Sequence, residues 1–381
     1  MPNYRLRAMR PVRIYMMIAA MICTLSAMPT AAKEMTPDAP ADAPLPAIAI
    51  SDGQLVADGQ PFEIRGVNYV RLTGSSDICS DIHFGADGRC PWDQAAIDAD
   101  MDRMQALGVN TIRVFLNYYV FGGARAADPA YNINTPLEHL DSLIASANRR
   151  GIYVLPVLMA KYPQDRFTED GLSQAINLHI TPVAWHLANR TGVLAWDLFN
   201  EPDIGSPIDE RCWDWDNGDF PLCKELAIQR ADFLTGIHWH LRTIDPAHLT
   251  TIGMGFAKSY FRPAEAGPRL AALVDFYSFH YYDNDPYDSG RYAQHWYYGQ
   301  GLPGDLQRGI DELATMAQAK PVLISELGFP SGPGALRDEA TLRQDLALSL
   351  QTARDSRAAG VILWPFQPSP EELIGDLFTA P

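Results

Sequence analysis

Two glutamates in this chain sit in stretches built alike. In Trp196-Asp197-Leu198-Phe199-Asn200-Glu201-Pro202 an apolar run ends on Asn200, Glu201 and a proline, and Ile324-Ser325-Glu326-Leu327-Gly328 sets a second carboxylate at the end of another apolar run. Apolar runs of this length, rich in large side chains, read as buried strands, and proline stops ladder pairing. Two carboxyl groups delivered by two strand ends can cleave a glycosidic bond with retention. One protonates the leaving oxygen while the other, roughly 5 Å away, attacks the anomeric carbon. Their surroundings must hold the two pKa values apart, so that one carboxyl keeps its proton near neutrality and the other stays ionised.

Bringing residues 201 and 326 together is a task for the whole chain. Eight strand-length apolar runs are present: Phe62 to Val70, Asn110 to Leu116, Tyr153 to Leu158, Val193 to Asn200, Leu249 to Phe256, Phe276 to Tyr282, Pro321 to Phe329 and Val361 to Phe366. Segments of helical period separate them: Asp93 to Leu107, Leu137 to Arg150, Leu172 to Asn189, Lys224 to Ile244, Asp305 to Ala319 and Glu339 to Ala359, with a weaker one at 262–273. Near-continuous apolar strands alternating with amphipathic helices predict an α/β fold, a single (β/α)8 TIM barrel over residues 47–381. Two Asp-Gly turns, at Asp52-Gly53 and Asp58-Gly59, predict a short N-terminal β-hairpin in front of it. A doubly wound open sheet is the competing arrangement, and it would advertise a glycine-rich phosphate loop; Arg65-Gly66-Val67-Asn68 matches no such fingerprint.

In a barrel the strand C-termini converge on one face, so the residues there belong together. They are Asn68 and Tyr69, Arg113, Asn200 and Glu201, His280 and Tyr282, Glu326, and Trp364. Arg113 and Tyr282 can hold Glu326 anionic through hydrogen bonds. Asn200 can reach a sugar 2-hydroxyl, His280 can complete the polar network near the acid, and Trp364 can floor a pyranose ring. Taken singly, Arg113 reads as a salt bridge, His280 as a core histidine and Trp364 as core filling. The loop at 203–223 adds Trp213, Trp215 and Phe220, and the loop at 283–304 adds Tyr287, Tyr292, Trp296 and Tyr298, with Trp296 expected in the substrate site. Aromatic faces stack on pyranose rings, so such a cleft suits a polysaccharide or oligosaccharide.

Composition narrows the setting. Arg5, Arg7, Arg10 and Arg13 precede an apolar run from Ile14 to Met28 and the small residues Thr30-Ala31-Ala32, the pattern of a signal peptide over residues 1–32. A retained anchor is the alternative, although the run is shorter than the roughly 20 residues a span needs. Residues 33–46, rich in Ala, Pro and Asp, read as a disordered linker. A secreted or periplasmic location follows, with no membrane association in the mature form. Loss of the leader would take the formal charge from −16 to −20, a surface that repels nucleic acid and anionic lipid. Cys79 and Cys90, and Cys212 and Cys223, form two pairs with ten residues between partners. In an exported protein they read as two local disulfides rather than a metal site, which would show close Cys-x-x-Cys spacing. No cofactor or metal is needed by this chemistry, Asp283, Asp285 and Asp288 read as solvated loop residues, and a monomer is expected.

From residue 48 to the eighth strand near 366, the chain resembles glycoside hydrolase family 5 and its clan of retaining β-glycosidases. The resemblance implies that Glu201 of Asn200-Glu201-Pro202 is the acid/base and Glu326 the nucleophile. It likewise places the family's His-x-Tyr on His280 and Tyr282, its strand-two arginine on Arg113 and its strand-eight tryptophan on Trp364. Two departures stand out. Leu327 takes the place of the usual aromatic residue before Gly328, and the third strand ends in Leu158-Met159-Ala160-Lys161 without the histidine that family cellulases tend to carry. The second departure favours an endo-β-1,4-mannanase over an endo-β-1,4-glucanase. An exo-acting β-glycosidase or a transglycosylase uses the same machinery, and a non-catalytic carbohydrate-binding barrel is a reading of a different class.

Overall fold

The computed structural model describes residues 44–70, 84, 92–123, 132–204, 212, 221–282, 298–316, 320–329, 337–366 and 378. Both Asp-Gly pairs turn the chain as their residue types require. Asp52 and Gly53 lie at φ 50° and 74°, and Asp58 and Gly59 at 49° and 72°. Two consecutive left-handed residues mark the type I′ turn, whose twist matches that of the strands it joins. The turns connect β1 (Ile48–Ser51), β2 (Gln54–Ala57) and β3 (Gln60–Pro61) into a three-stranded antiparallel sheet, one short strand more than the expected hairpin.

The next eight strands close the barrel. They are β4 (Ile64–Tyr69), β5 (Thr111–Asn117), β6 (Tyr153–Ala160), β7 (Trp196–Asn200), β8 (Thr250–Met254), β9 (Tyr277–Tyr282), β10 (Val322–Gly328) and β11 (Gly360–Phe366), with β11 pairing back onto β4. The helices are α1 (Gln94–Ala106), α2 (Asn134–Asn148), α3 (Glu169–Ala175), α4 (Thr181–Leu187), α5 (Pro221–Ile244), α6 (Gly267–Leu273), α7 (Gly304–Ala314) and α8 (Glu339–Asp355). The single helix expected over Leu172 to Asn189 is instead α3 and α4 joined by a π-helical turn at Ile176–Ile180. Pro182, in the first turn of α4, has no N–H to continue an unbroken ladder. Among the described residues no helix is long and apolar enough to cross a membrane.

Side-chain parity sorts the core into two layers. Alternate strand residues such as Val154, Ile112 and Ile324 pack outward with the helices. The opposite parity, Ile64, Leu155, Leu194, Phe276, Leu323 and Ile362, fills the lower barrel, closed from below by Ile48 and Leu55 of the small sheet. Higher along the axis this apolar plug gives way to buried polar groups: Asn68, Arg113, Asp197, Ser278, His280, Ser325 and Glu326. An apolar base of this kind makes a rigid seat for a charged layer.

Candidate active site

Each polar side chain of the upper barrel owes its aim to a strand, and twice to an irregularity. On β7, Asp197 and Asn200 are three residues apart, so a regular strand would send them to opposite faces. The register with β8 shifts between them, and both reach Arg113. On β10 the register with β9 slips between Ile324 and Glu326, turning Glu326 toward His280 of the neighbouring strand. β-Bulges redirect side chains in this way, commonly beside active sites.

Arg113 is the hub. Its Nε donates to Asp197 Oδ2 at 2.9 Å, its Nη1 to Glu326 Oε1 at 2.6 Å and to Asn68 Oδ1 at 2.9 Å, and its Nη2 to Asn200 Oδ1 at 2.9 Å. Asn68 gives its amide hydrogens to the carbonyls of Ser325 and Leu363 at 2.9 and 3.2 Å. All of its groups therefore face protein, and it positions Arg113 rather than meeting substrate. Gly253 of β8 lets this layer close up. A Cβ there would fall 2.6 Å from Arg113 Nη2, 2.9 Å from Asp197 Oδ2 and 3.1 Å from His280 Nε2.

Glu201 stands just past β7 with φ +50°, and its N–H donates to Gly253 O at 2.7 Å. A left-handed backbone costs a non-glycine residue about 1 kcal/mol or more, so the surroundings must hold it. On the far side of the turn, the buried Arg230 of α5 donates to Pro202 O at 2.8 Å, and Asp203 accepts from the N–H groups of Gly255 and Phe256 at 2.8 and 3.1 Å. Glu201 Oε1 lies 2.7 Å from His280 Nδ1, which is also 3.5 Å from Glu326 Oε2. Tyr282 Oη donates to Glu326 Oε2. Ligand atoms of Glu201, His280 and Glu326 all lie within 4.8 Å of one another. A separation of about 5 Å between carboxyls leaves no room for a water between the sugar and the second carboxylate, the geometry of retention.

The charges settle unequally. Burial pushes Glu201 up to about 7, with Arg113 pulling against it. Burial raises Glu326 as well, but His280, Arg113 and the Tyr282 hydroxyl draw it down. Arg113 and Tyr282 bond Glu326 directly and do not bond Glu201. Arg113 already faces two anions, Asp197 and Glu326, so among the described residues a third negative charge on Glu201 finds no cation of its own. A proton shared by the pair therefore rests on Glu201. Burial pushes His280 down to about 4, leaving a neutral ring whose Nδ1–H is assigned as the donor to Glu201. Burial also lifts Tyr282 well above the usual phenol range, so it remains a donor. Glu201 keeps 28% of its side chain exposed against 5% for Glu326, so it is the carboxyl that looks into the cleft. A metal ion fits this trio poorly: Arg113 and Tyr282 occupy both Glu326 oxygens.

Two expected contacts fall elsewhere. Tyr69 follows the inward Asn68 and so points out of the barrel, where its hydroxyl donates to Asp100 of α1 at 2.6 Å. It is a buried packing residue and cannot touch a sugar. Tyr298 donates to Glu312 and lies under Arg308, 4.0 Å from guanidinium carbon to ring centre, so it ties its loop to α7. Trp364 is half-buried above Phe115, ring centroids 5.8 Å apart and 87° between planes. Trp296, Cys79 and Cys90 lie outside the described residues, as do the segments expected as leader and most of the linker. Cys212 and Cys223 are joined in a disulfide that ties the loop after Glu201 to the start of α5. Asp197, the anion beneath Arg113, was not among the expected residues; a charged side chain inside an otherwise apolar strand was its signal.

No family model matches the chain. It is 26% identical over 314 residues to mannan endo-1,4-beta-mannosidase A of Emericella nidulans, covering 70% of this chain and 74% of that protein. The crystal structure of the beta-1,4-D-mannanase from Cryptopygus antarcticus superposes with a TM-score of 0.60 at 17% identity, covering 88% of this chain and 93% of that one. The exo-beta-1,4-mannosidase Op5Man5 from Opitutaceae bacterium strain TAV5 gives a TM-score of 0.60 at 17% identity, over 84% of this chain and 56% of that one. These structural likenesses carry the barrel. The sequence relatives, with the carboxyl pair above, make the chain an O-glycosyl hydrolase. Within that class it resembles glycoside hydrolase family 5, of the cellulase- and mannanase-like kind.

Proposed function

We propose that the protein is a retaining endo-β-1,4-mannanase in which Glu201 is the acid/base and Glu326 the nucleophile. The observation that carries this reading is the carboxyl pair within 4.8 Å, with Arg113 and Tyr282 bonded to Glu326 and not to Glu201. In the first step Glu326 forms a bond to the anomeric carbon as the bond to the leaving oxygen breaks, and Glu201 passes its proton to that oxygen. In the second, Glu201 takes a proton from water, whose oxygen attacks the same carbon and frees Glu326. Asn200 accepts from Arg113 through Oδ1, which leaves its amide hydrogens for the sugar 2-hydroxyl. Trp364 serves as a ring platform beside Phe115.

Mannan is the substrate favoured by the names of the relatives in Emericella nidulans and Cryptopygus antarcticus and by the end of β6, which carries Lys161 and no histidine. The arginine-led apolar segment at residues 1–32 supports export before action on an external polymer. An exo-acting mannosidase is the second reading, favoured by the likeness to the Opitutaceae enzyme. The test is hydrolysis of mannan, glucomannan, carboxymethyl cellulose and xylan by wild type, Glu201→Ala and Glu326→Ala, with chromatography of the products. Internal cleavage giving a ladder of mannooligosaccharides is expected, release of mannose alone would select the exo reading, and full activity in either variant would remove that glutamate from its role.

A further inference from the structure

β8 runs between the strand that ends at Glu201 and the strand that carries His280, and at their level it carries a glycine. Gly253 pairs with Asn200 on one side and with Ser278 on the other. Glycine weakens a strand, and its use inside one marks a place where another group must come close. Gly253 has no left-handed backbone to explain it, so space is the reason. A first side-chain carbon there would press on three groups at once, Arg113 Nη2, Asp197 Oδ2 and His280 Nε2, at 2.6, 2.9 and 3.1 Å. Arg113 cannot yield cheaply, because its head is buried and bonded to Asp197, Glu326, Asn68 and Asn200. The peptide groups of Gly253 are engaged as well: its N–H donates to Asp197 Oδ1 at 2.8 Å, and its carbonyl accepts from Glu201 N–H at 2.7 Å.

We infer that Gly253 is a positioning residue for both carboxyls, setting Glu326 through Arg113 and Glu201 through its own carbonyl and through His280, an inference that rests on the reading of the two glutamates above. A methyl group at 253 must push the guanidinium away, and the guanidinium holds Glu326 Oε1 at 2.6 Å. The imidazole is set from the same side. Its Nε2 lies against Gly253 and has no hydrogen-bond partner among the described residues, so the one proton of the neutral ring sits on Nδ1, 2.7 Å from Glu201 and 3.5 Å from Glu326. The charged and titratable groups facing the pair are Arg113 from β5, His280 and Tyr282 from β9, and each carboxyl itself, with Asp197 behind Arg113. Arg113 draws both carboxyls down and His280 draws Glu326 down. Displacing them therefore raises both.

The test is the pH profile of kcat/KM on mannan for wild type, Gly253→Ala and Gly66→Ala. Gly66 is the steric control: a Cβ there would stand 2.8 Å from Ile362 Cγ1 and 3.1 Å from Thr111 O, a clash of similar size against the apolar plug. Gly253→Ala is expected to lower kcat about 10- to 100-fold, the size of a lost hydrogen bond to a charged group, and to move both limbs of the profile to higher pH. Gly66→Ala should lower Tm and leave both limbs where wild type has them. Limbs unmoved in Gly253→Ala would overturn the positioning role while leaving Glu201 and Glu326 standing, and a wild type inert on every β-glycan would overturn both. Wild type alone supplies a second readout that does not depend on the folding of Gly253→Ala. Long-range proton–nitrogen NMR of protein carrying isotope-labelled histidine, with the His280 signals assigned by their loss in His280→Gln, should show Nδ1 protonated and Nε2 bare at neutral pH. A proton on Nε2 would place a donor against Gly253 and overturn the inference.

Discussion

Arg113 and Asp197 form an ion pair with no exposure on either side chain, closed by two nitrogens of the guanidinium at 2.9 Å from the same carboxylate oxygen. The other Asp197 oxygen accepts from Gly253 N–H at 2.8 Å. Asp197 thus fixes the rotation of the guanidinium, and the rotation decides that Nη1 meets Glu326 and Nη2 meets Asn200.

Removing one member of a buried ion pair is strongly destabilising, about 3–5 kcal/mol, because the partner charge stays buried. Asp197→Asn keeps the shape but turns an amide group on Arg113 or on Gly253 N–H. Its expected outcome is a lower urea midpoint and a fall in kcat, with KM moving less. Arg113→Lys keeps the charge and loses the fork, so it should fail to restore either quantity. Equilibrium unfolding with steady-state kinetics on mannan checks both.

Tyr282→Phe isolates a single hydrogen bond. A neutral donor to a carboxylate contributes about 1.5–3 kcal/mol, or about 10- to 100-fold in rate if the interaction serves the nucleophile. Without the phenol hydroxyl, Glu326 loses one of the groups that draw its pKa down. The acid limb of the kcat/KM profile, where the nucleophile must be ionised, should therefore move to higher pH, while the fold keeps its Tm within a few degrees.

Much of this site was legible because a barrel turns sequence-distant strand ends into neighbours. Asn200, Glu201, His280, Tyr282 and Glu326 lie at or near the ends of apolar runs, Arg113 interrupts one, and the structure brings all six together. Tyr69 shows where the reading failed. Adjacent strand residues face opposite sides, so Asn68 and Tyr69 could not both look inward, and the period of two decides against Tyr69. Asp197 failed in the opposite sense: regular alternation would turn it away from Asn200, and only the irregularity in β7 admits both. Such shifts depend on how neighbouring strands pair, which local residue types do not encode. The π-helical turn before Pro182 escaped for a related reason, since the apolar period continues through it unbroken.

The Cys212–Cys223 disulfide closes a short loop between the acid/base turn and α5. A loop of about 15 residues corresponds to about 3 kcal/mol in chain-entropy terms. The double variant Cys212→Ser and Cys223→Ser should lower Tm by several degrees. Because Arg230 and Asp203 hold the Glu201 turn independently, kcat on an activated aryl glycoside should survive better than stability. Reductant added to wild type should reproduce the Tm shift in a melting experiment, and loss of activity without loss of stability would contradict this division of labour.

Glu201 ties activity and stability to one titration. Its folded pKa of about 7 lies above the ordinary carboxylate value. A raised folded pKa means that the group's contribution to stability is present in full below the unfolded value near 4.3 and is lost as pH rises through about 7. The same proton is the one delivered to the leaving oxygen. The alkaline limb of kcat/KM should therefore fall with a midpoint near 7, and the pH dependence of unfolding should show stability declining over the interval between the two values. Glu201→Gln removes the titration but keeps a neutral side chain of the same size. It should lose on the order of 10²- to 10⁴-fold in kcat on mannan, the usual worth of a general acid, and flatten that part of the stability profile. Its rate on a dinitrophenyl glycoside, whose leaving group needs no proton, should fall far less in the bond-breaking step. A variant that kept the alkaline limb near 7 would move the proton to another group.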